Sequence, residues 1–562
     1  MNNTRTRIFL ENQKNDFLYR KSKSNLNIEF NRIAFIFFIF FIIFIIYSIH
    51  LIHLGSRQVK IEINNKSIKE LNKLYRADIL DRNGNYIGKT VSSIDVGIAP
   101  SKIIDKKKLI INLKYILPNK DYNQIEKKIQ KGKFFYLEKK ISEENYEKLM
   151  KLGDKSIEPR DNLIRIYPEK NLFSHIIGQI DSDNNGISGL EKKLDEQLKN
   201  NQSAVLLTVD KDIQSLIRQE LIKFNNIFDA IGSAAILMDI NNGEIISLVS
   251  LPDFDPNKRE KIIDKNFINR ATKGVYEFGS VFKTFTIAAG LNDEIIKPDT
   301  KFLDLPKSIM CAGFPIREYD QNISSSLTAE QILIRSGNIG SVKIAQAIGQ
   351  EKFELFLSNL GVLEKINFDI EEVGEPIKFK WGKCPLATVS FGHGVKTNLL
   401  KLAKAYSKIT KGGFNVQPSL LKKKKKKKKE IILNKNVSKE ILPILRKIVN
   451  TKEGTASLAN VNGYEIGGKT GTAQKSKAGG YSKKKINSFV SVFPTSKPKF
   501  VLAVMLDEPK INAEYIYHYR DGSNIKYKGT PFNTAGWTTV EVTGQIVEKI
   551  GPILATKYSE VY

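Results

Sequence analysis

The 562-residue sequence predicts an α+β protein in which helices flank an antiparallel sheet and a helical subdomain interrupts it. Three observations carry this. Asn241-Asn242-Gly243 lies between the apolar runs Ser233 to Ile240 and Glu244 to Ser250, and an Asn-Gly pair between two such runs is a strong hairpin signal. Helical sequence then fills the middle of the chain. Strand-like runs return at Tyr464 to Ala473, Ile486 to Phe493 and Phe500 to Leu506, and Val540 to Ile553 closes the chain with an amphipathic helix.

Residues 1–32 are polar and basic, with no apolar periodicity, and predict a short tail. Residues 33–54 are an almost unbroken run rich in Ile and Phe. At ~1.5 Å per residue the run spans the ~30 Å hydrocarbon core of a bilayer, so it predicts a transmembrane helix. A cleavable signal peptide would have a shorter apolar region followed by small residues, and His50 to Arg57 offers no such cleavage site. The twenty residues on each side carry five Lys plus Arg each, so the positive-inside rule leaves orientation open. Residues 55–203 mix short strand-like pieces with lysine-rich helical ones such as Ser142 to Leu152, and hold no catalytic constellation. From 204 a second domain is expected, since the chain is too long for one core. Asp210 is its first N-cap, ahead of a helical face of Ile213, Leu216, Ile217 and Leu221.

The formal charge of +29 raises nucleic-acid binding as a possibility. The lysines, however, are spread along the chain among isoleucine and asparagine, and no binding motif accompanies them, so no nucleic-acid partner is expected. Lys422 to Lys429, eight lysines in a row, predicts a solvated loop. Cys311 and Cys384 have neither metal-ligand spacing nor the density of a disulfide scaffold, and whether they pair stays open. There is no cofactor signature, neither a phosphate-binding glycine loop nor His-Glu-x-x-His, and no metal site is expected.

The chemistry concentrates in Tyr276-Glu277-Phe278-Gly279-Ser280-Val281-Phe282-Lys283, followed by an apolar run that predicts a buried helix starting near Ser280. Residues three apart on a helix share a face, so Lys283 can serve Ser280 as a base once burial keeps it neutral. The helix N-terminus would also favour an oxyanion forming beside the serine. Alone, Ser-x-x-Lys is common on solvated helices. Here Ser336-Gly337-Asn338 and Lys469-Thr470-Gly471 follow in order. Ser336 can relay a proton, the Asn338 amide can grip a peptide, and Lys469 adds positive charge. The strand through Lys469 offers an edge on which a peptide can pair.

This trio, in this order, resembles the penicillin-binding proteins, specifically the class B, cell-division (FtsI-like) type. Arg76-Ala77-Asp78-Ile79-Leu80-Asp81-Arg82-Asn83-Gly84 resembles a second family segment, with alanine where glycine is usual. Arg165, Tyr167, Pro168, His175, Gly178, Gly186, Gly189 and Glu191 match a third, and Phe391-Gly392-His393-Gly394-Val395 a fourth. Phe278 stands where many relatives carry proline.

The resemblance implies a cytoplasmic tail (1–32), an anchor in the inner membrane (33–54), a periplasmic pedestal or dimerisation-type domain (55–203) and a transpeptidase domain (204–562). It implies D,D-transpeptidation of peptidoglycan stem peptides through a Ser280 acyl-enzyme, and inhibition by penicillin and other β-lactams. Lys283, Ser336, Asn338 and Lys469 would be catalytic. Thr470, Gly471 and Thr472 would form the substrate and oxyanion side. With no polymerase domain in the N-terminal half, a membrane-embedded glycan polymerase (FtsW-like) and other divisome proteins are the implied partners. A β-lactamase would need a deacylating base, for which no motif is present. The remaining alternatives are an elongation-type transpeptidase and a catalytically silent scaffold of the same fold.

Overall fold

The computed structural model describes residues 32–53, 55, 75–201, 203–258, 267–377, 379–422, 430–477 and 480–558. The tail 1–31, the first part of the expected pedestal and Lys423 to Lys429 of the lysine run lie outside the described residues. Arg32–His53 is one helix of 22 residues with mean hydropathy 2.8, long and apolar enough to cross a membrane.

In the body, the first sheet runs β1 (Ile79–Leu80), β2 (Tyr86–Ile98), β3 (Phe135–Glu138), β4 (Ile157–Ile166) and β5 (Val205–Leu206). The long β2 pairs antiparallel with β4 along most of its length, from Lys89 opposite Ile166 to Ile98 opposite Ile157. Three helices, Lys106–Ile116, Tyr122–Gln130 and Glu143–Lys151, cluster at the far end of β2. Their N-caps are legible as side chains: Asp105, Asp121 and Ser142 each accept the N–H three residues on. Leu109, Leu113, Ile125, Leu137 and Leu149 make a separate small core there. At the near end, Ala77, Ile79, Tyr167 and Phe173 belong instead to the large core of the rest of the chain.

That core surrounds a second sheet. β6 (Gly232–Asp239) and β7 (Ile245–Leu251) form the expected hairpin, with Gly243 at φ +79° in its turn. The sheet is completed by β8 (Gly467–Lys477), β9 (Gly480–Phe493) and β10 (Phe500–Asp507), in the order β8-β9-β10-β6-β7, antiparallel throughout. β10 is buried at every position, so helices must cover both faces. Lys211–Ile227 and the closing helix Thr539–Lys557 pack together on it, and Leu399–Thr410 with Asn436–Asn450 form the other pair. Asp210 caps the first of these, accepting from the Asp212 and Ile213 N–H groups. The helical insert gathers Lys283–Asn292, Ala329–Ile334, Asn338–Ile348 and Gln350–Leu360.

Two points differ from expectation, and a third answers a question left open. The α-helix starts at Lys283, because Gly279–Phe282 form a 3-10 turn. With three residues per turn, that stacks Ser280 more directly over Lys283 than an α-turn would. The strands through Lys469 and Ile486 run longer, to Lys477 and from Gly480, making a ribbon beyond the apolar core. The open question of the cysteines is answered by a Cys311–Cys384 disulfide, with Cα atoms 5.6 Å apart.

Candidate active site

The nucleophile turn is held by backbone contact. Tyr276 exchanges two backbone hydrogen bonds with Thr397, of 2.8 and 3.0 Å, and Phe278 is fully buried. Gly279 has φ +55°, a conformation that favours glycine, and it aims the next residue, Ser280, into a cavity of about 900 Å³. The strand β8 approaches this turn so closely that a Cβ on Gly471 would stand 2.1 Å from the Phe278 carbonyl oxygen. Gly392 is equally constrained, since its Cβ would stand 2.1 Å from the Gly279 carbonyl oxygen. Glycine in two separate motifs is therefore what lets three segments converge on Ser280.

Ser336 is the meeting point. Lys283 Nζ donates to Ser336 Oγ at 3.1 Å and to the Ser336 carbonyl, while Lys469 Nζ donates to the same Oγ at 3.0 Å. Ser336 itself has φ +59°, an uncommon conformation for a non-glycine residue, of the kind that clusters at functional sites. It ends the short helix Ala329–Ile334 and precedes the helix that starts at Asn338, so its hydroxyl is delivered by two helix ends rather than by one regular element.

Both lysines are almost completely buried. Burial brings Lys283 down to about 7, against the opposing pull of the Glu318 carboxylate. Burial and the neighbouring Lys283 hold Lys469 well below the usual lysine range. Two ammonium groups sharing one serine hydroxyl in a dry site repel each other, and the arrangement favours at least one neutral amine.

Ser280, Lys283, Ser336, Asn338, Thr470 and Thr472 all line the cavity. Lys469 and Gly471 lie behind its wall. Asn338 Nδ2 is engaged at 2.7 Å by the Arg317 carbonyl. Thr470 Oγ1 and Thr455 Oγ1 are 2.8 Å apart, and Thr472 Oγ1 accepts the Ala535 N–H at 2.9 Å. These contacts fix the hydroxyls of the strand that borders the cavity. In chemical terms the site is a serine with a nearby amine of lowered basicity, a second amine, a shared hydroxyl relay and a sheet edge. That combination suits nucleophilic acyl transfer.

Sequence reasoning missed several residues of this cavity. Glu277 lies beside the nucleophile and accepts from the Gly394 N–H and the Tyr481 hydroxyl, both within 3.2 Å. His393 stacks on Tyr481 with ring centroids 4.6 Å apart. Glu318 contacts the second motif. Glu277 and His393 lie inside segments already singled out, so their neighbours pointed to them. Nothing in the local pattern marks Glu318 or Tyr481.

Residues 233–524, just over half of the chain, match the penicillin binding protein transpeptidase domain, and residues 72–223 match the penicillin-binding protein dimerisation domain. The chain is 27% identical over 497 residues to a probable peptidoglycan D,D-transpeptidase FtsI of Caulobacter vibrioides, covering 86% of this chain and 82% of that protein. It is 29% identical over 485 residues to the stage V sporulation protein D of Bacillus subtilis, covering 77% and 74%. A crystal structure described as a peptidoglycan synthetase from Bifidobacterium adolescentis superposes with TM-score 0.65 over 87% of this chain and 96% of that one, at 21% identity, which speaks for the fold. With both domains matched in order, and a relative named as a probable peptidoglycan D,D-transpeptidase matched over most of its length, the chain belongs to the class B penicillin-binding proteins, FtsI-like, and is a penicillin-binding transpeptidase.

Proposed function

We propose that this chain cross-links peptidoglycan stem peptides during septal wall synthesis. Ser280 Oγ, giving its proton to Lys283, attacks the carbonyl of the penultimate D-alanine. The C–N bond to the terminal D-alanine breaks, and Ser336 with Lys469 delivers a proton to the departing amine. An amine of a neighbouring stem then displaces Ser280 from the ester and forms the cross-link. Asn338 holds the donor peptide, Thr470 and Thr472 receive its terminal carboxylate, and the N–H groups of Ser280 and Thr472 stabilise the oxyanion, with Gly471 allowing the close approach. β-Lactams acylate Ser280 in the same pose.

The observation that carries this reading is the convergence of Lys283 and Lys469 on Ser336 Oγ, at 3.1 and 3.0 Å, in the cavity that Ser280 lines. The test is labelling of the detergent-solubilised chain with a fluorescent penicillin. Ser280 should carry the label and Ser280→Ala should carry none; label on the mutant sinks the assignment.

The finer reading takes residues 33–54 as an uncleaved anchor, the tail as cytoplasmic, 55–203 as the periplasmic pedestal and 204–562 as the catalytic domain. The division role rests on the Tyr276 to Lys283 segment, on Ala535-Gly536-Trp537-Thr538-Thr539-Val540, and on the relative named FtsI. A membrane-embedded glycan polymerase of the FtsW type is the partner this role requires. Depleting the protein should stop septation and give filaments, whereas rounded cells that still divide would assign it to elongation.

A further inference from the structure

The second motif has a carboxylate behind it. β-Strands Ser308–Cys311 and Phe314–Arg317 form a hairpin that leads directly into Glu318. The Cys311–Cys384 disulfide ties that hairpin to the helix Lys383–Val389, so the backbone before Glu318 is anchored at a second point. Glu318 is 7% exposed, and its two oxygens accept the N–H groups of Asn338 and Ile339 at 2.6 and 2.8 Å. These are the first two residues of the helix Asn338–Ile348. No side chain at Gly337 caps that helix, and the first N–H groups of a helix have no partner within it. Glu318 takes up both, and it complements the positive end of the helix dipole.

The consequence reaches the catalytic groups through two residues. The backbone immediately before Asn338 is Ser336-Gly337, and Ser336 sits at φ +59° with both lysines on its hydroxyl. A carboxylate that fixes the Asn338 and Ile339 N–H groups therefore fixes where Ser336 Oγ stands. The Asn338 side chain is held from the same segment, by the Arg317 carbonyl at 2.7 Å.

Charge gives Glu318 a second effect. Charged groups on the same cavity are Lys283, with Lys469 behind it on β8, the Asp320–Arg335 pair at 2.6 Å, Glu277, Lys452, Glu453 and Lys485, together with the titratable His393, and Arg317 precedes Glu318 in the chain. Asp320 is occupied by Arg335. Glu318 is the carboxylate that acts on Lys283, opposing the effect of burial. Lys469 is pushed down by burial and by Lys283. The Glu318 side chain thus bears on the two lysines unequally.

We propose that Glu318 is a positioning residue for the acyl-transfer step, setting the place of Ser336 between the two lysines. This rests on the function proposed above, and it adds a residue outside the three motifs.

The test is the rate of Ser280 acylation by a fluorescent penicillin, measured from pH 5 to 9 on the full chain in detergent. For Glu318→Gln, the midpoint of the rate profile should move to lower pH, because Lys283 loses the charge that favours its ammonium form. The plateau should fall about tenfold, because an amide cannot accept both N–H groups. For Glu318→Asp, the charge is kept on a shorter stem, so the midpoint should stay near that of the unaltered chain while the plateau still falls. An unmoved midpoint in Glu318→Gln overturns the charge role. An unchanged plateau in Glu318→Asp overturns the positioning role, and it remains informative if the glutamine variant fails to fold. The unaltered chain is the control for the underlying function: no label on Ser280 there removes the acyl-transfer reading and this inference with it, whereas normal labelling with unaltered Glu318 variants removes this inference alone.

Discussion

Lys283 shows how much chemistry a single burial event decides. A lysine on a solvated helix face is almost wholly protonated at neutral pH and useless as a base. Burial brings Lys283 to about 7, so the sign of the pH effect follows. Its neutral form grows as pH rises through about 7, and acylation of Ser280 should rise with it and then level off. Below the midpoint the rate should fall about tenfold per pH unit, because the base is lost to its own proton. Stopped-flow acylation from pH 5 to 9 measures this, and a profile with no rise through 7 would remove Lys283 from the base role. Lys283→Met should slow acylation by ~10²–10⁴, the usual contribution of a positioned base. Near-normal acylation would transfer the role to Lys469.

At the scale of elements, the site depends on backbones meeting without side chains between them. β8 passes the Phe278-Gly279 turn at Gly471, and the Phe391 to Val395 loop passes it at Gly392. Gly471→Ala should push β8 off the turn, since a Cβ 2.1 Å from a carbonyl oxygen has no flexible neighbour to displace. The expected cost is ~1–3 kcal/mol of stability from overpacking. The expected loss of acylation is larger, ~10²-fold, because a shift on the order of 1 Å at a catalytic constellation is enough for that. Thermal melting alongside penicillin labelling checks both, and a variant that labels at the normal rate would show that β8 can move without consequence.

At the scale of the molecule, the catalytic domain and the base of the preceding domain share one core. Arg82 pairs with Glu244 at 2.8 Å, and the Tyr167 N–H donates to Asn257 Oδ1 at 2.9 Å. Beneath these contacts lies a buried ion cluster: Glu191 accepts from Arg76 and Arg165 at 2.9 and 2.7 Å, and Arg76 also reaches Asp195 at 2.6 Å. Removing one member strands the others in a dry site, so Glu191→Ala should cost ~3–5 kcal/mol. Because the core is continuous, penicillin labelling should be lost on heating at the same lowered temperature as the fold of the preceding domain. Labelling that survives to the original temperature would mean that the two unfold independently. The small core around Leu109, Leu113 and Leu149 is separate and is expected to be indifferent to this mutation.

Much of this was written in the sequence by local rules. The apolar run at 33–54, the Asn-Gly hairpin, the cap Asp210 and the three motifs follow from periodicity, turn chemistry and spacing, each confined to a few neighbouring residues. So does the resemblance of Arg76, Arg165, Tyr167 and Glu191 to family segments, although the reason they recur together, one buried ion cluster, is visible only when the chain is folded. Only the tertiary structure decided the rest. It paired Cys311 with Cys384 across 73 residues, put Glu318 under the second motif, buried Lys469 beside Lys283, and set Ser336 between two lysines 53 and 133 residues away. The physical reason is the same in each case: a pKa, a disulfide or a helix-end carboxylate depends on what surrounds a side chain in space, and long-range packing, not local pattern, supplies those surroundings.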